Sequence, residues 1–165
     1  MTDIFIIRHA WAEEQDLLRW STDWERPLTR DGRKRFAAMV ERLVQRGFQP
    51  EIIATSPLVR CRQTAEIVTE VIGNDAFIVE LDALQPGSDL DALLDWTTHE
   101  AGEYQQVAWV GHAPDVGWLA GRLIAAETGY MRFAKGAIAA IRFAGHPCAG
   151  EGTLRWFVTA KVLGC

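Results

Sequence analysis

The chain has 165 residues, enough for one domain with a sizeable core, and its 48% hydrophobic and 24% charged residues are ordinary for a globular protein. A net charge of -5 and a pI near 5.4 argue against a general nucleic-acid binder, which carries a basic face. An acidic chain that binds an anion must gather cations locally, because the field of the whole molecule does not steer the ligand in.

The first predicted element is a strand over 3–8, where the apolar run Ile4-Phe5-Ile6-Ile7 ends abruptly in Arg8-His9. A polar stretch over 10–27 follows, with Trp11, Trp20 and Trp24 set among Glu13, Glu14, Asp16, Asp23 and Glu25. It is long for a structureless connection, so a functional loop with a short helical turn is expected. Thr29 and Asp31-Gly32 offer a helix start, and Phe36, Met39, Val40, Leu43 and Val44 keep helical spacing up to a stop at Gly47. A second strand over 52–55 leads into Ser56-Pro57-Leu58-Val59-Arg60, and a helix over 60–72 ends at Gly73. A third strand is expected over 77–81. After the Pro86-Gly87 turn, Ser88 or Asp89 caps a helix running through Leu90, Leu93, Leu94 and Trp96. A fourth strand over 107–110 ends in Gly111-His112, and Asp115 is expected to cap a helix containing Val116, Leu119, Leu123 and Ile124. Strands over 137–143 and 154–160 close the chain.

Strands alternate with helices up to Ile124 and then two strands follow in succession. The pattern predicts an α/β fold with a mostly parallel central sheet and an antiparallel addition near the C-terminus, as one domain over 1–165. Cys61, Cys148 and Cys165 show no metal-type spacing and are expected as reduced thiols of a cytoplasmic protein. No secretory leader and no membrane-length apolar run is visible, so neither a membrane nor a nucleic-acid partner is expected, and the chain is taken as a monomer. Trp96, Trp109, Trp118 and Trp156 fall in regular elements and are expected in the core, and His99 and His146 at the surface. Arg62, two positions from Arg60 on one helix, faces elsewhere.

In an open α/β sheet, ligands bind at the carboxyl ends of the strands. Three strand ends here deliver Arg8 with His9, then Arg60, then His112. Phosphoryl transfer needs positive charge around the equatorial oxygens and a nucleophile in line with the leaving group. The planar arginine fork suits the first task and imidazole, through a covalent N–P intermediate, the second. His9 is therefore assigned as nucleophile, Arg8 and Arg60 as phosphate clamps, and His112 as a donor to a phosphoryl oxygen. Glu13, Glu14 and Asp16 lack partners for a metal site, so no metal is expected.

Ile7-Arg8-His9-Ala10 resembles the Arg-His-Gly signature of the histidine phosphatase superfamily, which includes the phosphoglycerate mutases. Ser56-Pro57-Leu58-Val59-Arg60-Cys61-Arg62-Gln63-Thr64-Ala65 resembles that family's Ser-Pro-x-x-Arg-x-x-Gln-Thr-Ala segment almost residue for residue, and Val110-Gly111-His112 matches its second histidine. Within the family the chain is most similar to the short SixA-type phosphohistidine phosphatases, through its length, Arg26-Pro27-Leu28-Thr29-Arg30-Asp31-Gly32, His112-Ala113-Pro114-Asp115-Val116-Gly117 and Lys135-Gly136-Ala137-Ile138-Ala139. The resemblance implies a three-layer α/β/α sandwich of phosphoglycerate mutase type, a phosphohistidine intermediate, no cofactor and no metal, and it brings Arg26 toward the substrate.

Two departures stand out. Ala10 replaces the usual glycine, which is tolerated where φ is not positive. The carboxylic acid that larger members use after the third strand has no clear counterpart; Asp82 is the first candidate for a general acid and Glu80 the second. A site without a strong acid favours phosphoramidates, whose imidazole leaves more easily than an alkoxide. The reading is a phosphatase of phosphohistidine on a signalling or phosphotransfer protein (a histidine phosphotransfer domain). The alternatives are a phosphatase of a small phosphorylated metabolite or nucleotide, and a noncatalytic phosphate-binding module.

Overall fold

In the computed structural model, residues 1–16, 18–73, 76–125 and 129–165 are described; of the loop over 10–27, residue 17 lies outside them. The elements are β1 (Thr2–Arg8), α1 (Arg30–Val44), β2 (Ile52–Thr55), α2 (Val59–Ile72), β3 (Phe77–Glu80), α3 (Leu90–His99), β4 (Gln106–Gly111), α4 (Asp115–Ile124), β5 (Ile138–Phe143) and β6 (Thr153–Val158). Two 3-10 turns, Asp23–Glu25 and Asp82–Leu84, lie in the connections. The first is the helical turn expected within the long loop.

The strands form one sheet in the order β3-β2-β4-β1-β5-β6. β3, β2, β4 and β1 run parallel, and β5 and β6 add antiparallel beyond β1. The apolar runs of β1, β2 and β4 are continuous because both faces of the sheet are covered. Alternate residues go to opposite layers. Phe5, Ile7 and Ile53 pack with Phe36, Met39 and Val68 of α1 and α2, whereas Ile4, Ile6 and Trp109 pack with Leu93, Leu119 and Leu123 of α3 and α4. The chain moves outward from β1 to β3 with its helices on one face, then returns to β4 with the next helix on the other. Right-handed crossovers force that change of face when the direction reverses.

The caps follow local chemistry. Thr29 Oγ1 accepts from Gly32 N, and Asp89 accepts from Ala92 N. Asp115 does not cap α4: Pro114 holds that position, and the Asp115 carboxylate instead accepts from Gly87 N at 2.9 Å. A neighbouring turn offers a backbone donor that the sequence pattern does not reveal. Trp109 is fully buried and donates its indole N–H to Thr97 Oγ1 at 3.2 Å. Trp118, in contrast, is 49% exposed, because it lies on the outer side of α4 against Tyr130. Cys165 is half-buried, since its N–H donates to Ala160 O and its carbonyl accepts from Arg35 Nε.

One close approach matters for the site. Gly117 and Gly121 form a notch on α4 into which the backbone of 129–131 sinks. A Cβ on Gly117 would stand 2.2 Å from Met131 O, and one on Gly121 2.0 Å from Gly129 O. Met131 N donates to Gly117 O at 3.0 Å. This docking carries the chain on to Phe133, whose carbonyl meets Arg8.

Candidate active site

β4 lies between β2 and β1, so three carboxyl ends stand side by side. Arg8 is in register with Gly111, His9 N donates to Gly111 O at 3.0 Å, and Ser56 N donates to Val110 O at 3.0 Å. The residues that leave those strands, His9, Ser56 and His112, are thereby brought together. The backbone around His9 is clamped further: Gly136 N donates to His9 O at 3.1 Å. Ala10 N donates to Thr64 Oγ1 at 3.0 Å, and Thr64 Oγ1 donates to Arg60 O at 2.7 Å. Among the described residues none other than glycine has a positive φ, so Ala10 fits here without strain.

His9 is 7% exposed, and its Nδ1 lies 2.7 Å from Ala10 O. A carbonyl only accepts, so Nδ1 carries the proton and Nε2 keeps its lone pair. Burial is the largest cause that pushes the His9 pKa down to about 3; its backbone bond opposes, and the charges of Arg60, His112 and Arg8 add to the fall. At neutral pH the ring is therefore uncharged and nucleophilic. The His112 ring centroid is 5.4 Å from that of His9. Its Nε2 is 2.9 Å from Ser56 Oγ and 3.4 Å from Cys61 Sγ. Ser56 Oγ accepts from Leu58 N at 3.4 Å and carries a proton it can donate to Nε2. With Ser56 as the donor, the imidazole proton lies on Nδ1, a donor for an anionic oxygen. Burial first, and then Arg60, lowers the His112 pKa to about 4. The Cys61 thiol, buried beneath the ring, is pushed up to about 12 by desolvation and stays protonated.

Arg8 donates Nη1 to Phe133 O at 2.9 Å. Arg60, 4% exposed, gives Nη1 to Asp23 O at 2.8 Å and Nη2 to Asp23 Oδ2 at 2.9 Å. The Nε atoms of both arginines are buried and have no partner among the described residues. Buried donors of this kind fit an anion with several acceptor oxygens, such as a phosphoryl group. Arg26 joins the cluster through Asp23, donating Nε to Oδ1 at 2.8 Å, and is braced by Glu13 O at 2.9 Å.

The structure thus gathers Arg8, His9, Arg60 and His112, with Arg26 linked at the edge. The two candidate acids stand apart from hydrogen bonds within that group. Glu80 pairs with Arg62 at 3.3 Å on the edge strand, and exposed Asp82 accepts from Gln85 Nε2 at 2.7 Å. Sequence reasoning missed Ser56, Thr64 and Asp23 as site residues. Ser56 and Thr64 lie inside the motif that carries Arg60, which is the signal that reaches them; Asp23 lies in a polar loop without one. Among the described residues no three His, Cys, Asp or Glu side chains gather as a metal would require. No helix described is long and apolar enough to cross a membrane.

The model of the histidine phosphatase superfamily, branch 1, matches residues 4–122. With this match, a phosphoglycerate mutase-like fold and the paired histidines, the chain belongs to that superfamily, and membership supports phosphatase activity, a hydrolase chemistry. Within it the chain is of SixA type. It is 31% identical over 156 residues to the phosphohistidine phosphatase SixA of Escherichia coli K12, spanning 93% of this chain and 91% of that one. It is also 35% identical over 130 residues to an uncharacterized protein of Picosynechococcus, spanning 78% and 76%. A structure of the protein histidine phosphatase SixA complexed with tungstate superposes with a TM-score of 0.84 at 28% identity, over 98% of this chain and 99% of that one.

Proposed function

We propose that this phosphatase removes phosphate from phosphohistidine on a signalling or phosphotransfer protein. The observation that carries the chemistry is the Nδ1–Ala10 O bond, which leaves His9 Nε2 as a free lone pair beside Arg8, Arg60 and His112. Nε2 attacks phosphorus while Arg8 and Arg60 hold the oxygens and His112 donates to one of them. The bond from phosphorus to the leaving atom breaks, and phospho-His9 forms. Water then attacks phosphorus, the P–Nε2 bond breaks, and both water protons leave on the phosphate. Arg26 orients the substrate at the edge.

The choice of phosphohistidine rests on the acid. An alkoxide needs a proton as it leaves, and such a donor must reach the leaving oxygen. The carboxylate nearest the cluster, Asp23, is held ionised by two arginines, while Glu80 and Asp82 bond to Arg62 and Gln85. Imidazole leaves without that help. The similarity to the Escherichia coli phosphohistidine phosphatase points the same way. All three cysteines are free thiols, in keeping with a reducing, cytoplasmic setting.

The test is phosphate release from a phosphohistidine-bearing phosphotransfer domain, beside a panel of sugar and nucleotide phosphates, with His9→Ala as control. Release from phosphohistidine that is lost in His9→Ala is expected. Faster release from an unactivated alkyl phosphate would move the substrate to a small metabolite.

A further inference from the structure

Asp23 stands against the cluster without a part in attack or in holding the phosphate. Oδ2 is 2.9 Å from Arg60 Nη2, Oδ1 accepts from Arg26 Nε at 2.8 Å, and its carbonyl accepts from Arg60 Nη1 at 2.8 Å. With two bonds from two guanidinium groups to its oxygens, and a third to its backbone carbonyl, the carboxylate has a defined place. Its side chain is 37% exposed, so solvent and solutes can reach it. Its charge also reaches His112, whose pKa it raises against the dominant effect of burial. Partial burial opposes ionisation of Asp23, but the hydrogen bonds and charges of Arg26 and Arg60 together outweigh it and hold the pKa below the usual range. An ionised carboxylate is a poor acid. It is, however, a good acceptor and a fixed negative charge.

Such an anion beside a phosphoryl site sorts leaving groups by charge. A departing alkoxide or phenolate develops negative charge and finds in this carboxylate neither a proton nor a hydrogen-bond donor. A phosphorylated imidazole protonated on its far nitrogen carries a positive ring and offers an N–H. We propose that Asp23 is a specificity-determining residue that accepts a hydrogen bond from the far ring nitrogen of a phosphoimidazole substrate and disfavours leaving oxyanions. The proposal rests on the phosphohistidine reading given above. In the step it favours, His9 Nε2 forms a bond to phosphorus and the substrate N–P bond breaks. The electron pair of that bond stays on the substrate nitrogen. The far nitrogen keeps its proton on Asp23, so the leaving ring departs as neutral imidazole. One N–P bond replaces another, and no further acid or base takes part.

The experiment compares kcat/KM for N-phosphoimidazole and for p-nitrophenyl phosphate in the wild type, Asp23→Asn and Asp23→Glu, each checked by thermal melting. Asp23→Asn should lower the phosphoimidazole to nitrophenyl ratio about tenfold or more, the size of one charge-assisted hydrogen bond. Asp23→Glu, which keeps the charge, should retain most of the ratio. Loss of both activities in equal proportion would overturn the proposal and leave Asp23 as a support for Arg60 and Arg26. A ratio restored no better by Glu than by Asn would overturn it too. Failure of the wild type to dephosphorylate the phosphotransfer domain would instead overturn the underlying reading before any variant is compared.

Discussion

Gly117→Ala tests how far α4 governs the position of Arg8. In an isolated helix the change would be favourable by about 1 kcal/mol, because glycine is the more flexible residue. Here the new Cβ meets Met131 O at 2.2 Å and Tyr130 Cε2 at 2.6 Å. A normal contact lies near 3.5 Å, so the segment at 129–131 must retreat by about 1 Å. The obstructing atom is backbone, held by the Met131 N to Gly117 O bond, so no rotamer change relieves the clash. Overpacking of this kind costs about 1–3 kcal/mol, and with its origin in backbone the upper part of that range applies. The helix gain offsets part of it, which leaves about 1–2 kcal/mol of destabilisation and a melting temperature lower by about 2–8 °C. The displacement also travels two residues along to Phe133, whose carbonyl receives Arg8 Nη1 at 2.9 Å. With Arg8 holding phosphate as proposed, a misplacement of about 1 Å costs up to about 10²-fold, so kcat/KM should fall by at least about tenfold. Thermal melting and phosphate release from N-phosphoimidazole measure the two effects. Gly145→Ala is the control, since nothing lies within 4 Å of its Cβ position and its φ is not positive; its stability should stay within about 0.5 kcal/mol. A Gly117→Ala protein that melts with the wild type and keeps full activity would refute the reasoning.

Two further outcomes follow from the clamp around His9. Thr64→Val deletes the oxygen that accepts from Ala10 N and donates to Arg60 O, leaving a buried N–H without its partner. Urea unfolding should show a loss of about 1–3 kcal/mol, largely recovered in Thr64→Ser; a Val variant as stable as the wild type would count against the clamp. The histidines set a pH dependence whose sign is fixed. Their folded pKa values, about 3 for His9 and about 4 for His112, lie below the ordinary imidazole value of 6.5. The unfolded chain therefore takes up protons first as pH falls. Stability from these groups is complete above about pH 6.5 and is lost toward pH 4, by up to about 1.4 kcal/mol per pH unit for each ring. Urea unfolding between about pH 7 and pH 5 should show this slope, reduced in His112→Gln; an unchanged slope in that variant would contradict the assignment.

Much of the architecture is local and therefore readable from the chain. Gly47 and Gly73, both with positive φ, stop helices where the pattern stops, and Thr29 and Asp89 cap as their chemistry predicts. The continuous apolar runs of β1, β2 and β4 mark strands covered on both faces, and the candidate site residues sit immediately beyond them. Ser56 through Ala65 is one contiguous segment, so Arg60 and its neighbours are legible together.

The sequence by itself determined the element order, the α/β class and the family, and it singled out Arg8, His9, Arg60 and His112 as the candidate site residues. Periodicity, helix breakers and contiguous motifs are all carried by near neighbours, so these conclusions needed no distant contact. Tertiary structure alone decided that β4 inserts between β1 and β2, which brings His9 and His112 to 5.4 Å. It also decided that Asp23 reaches Arg60 from 37 residues away, that Asp115 serves the turn at Gly87, and that Trp118 lies outward. Each of these depends on which segment passes over which face, a matter of nonlocal packing that a local pattern leaves open.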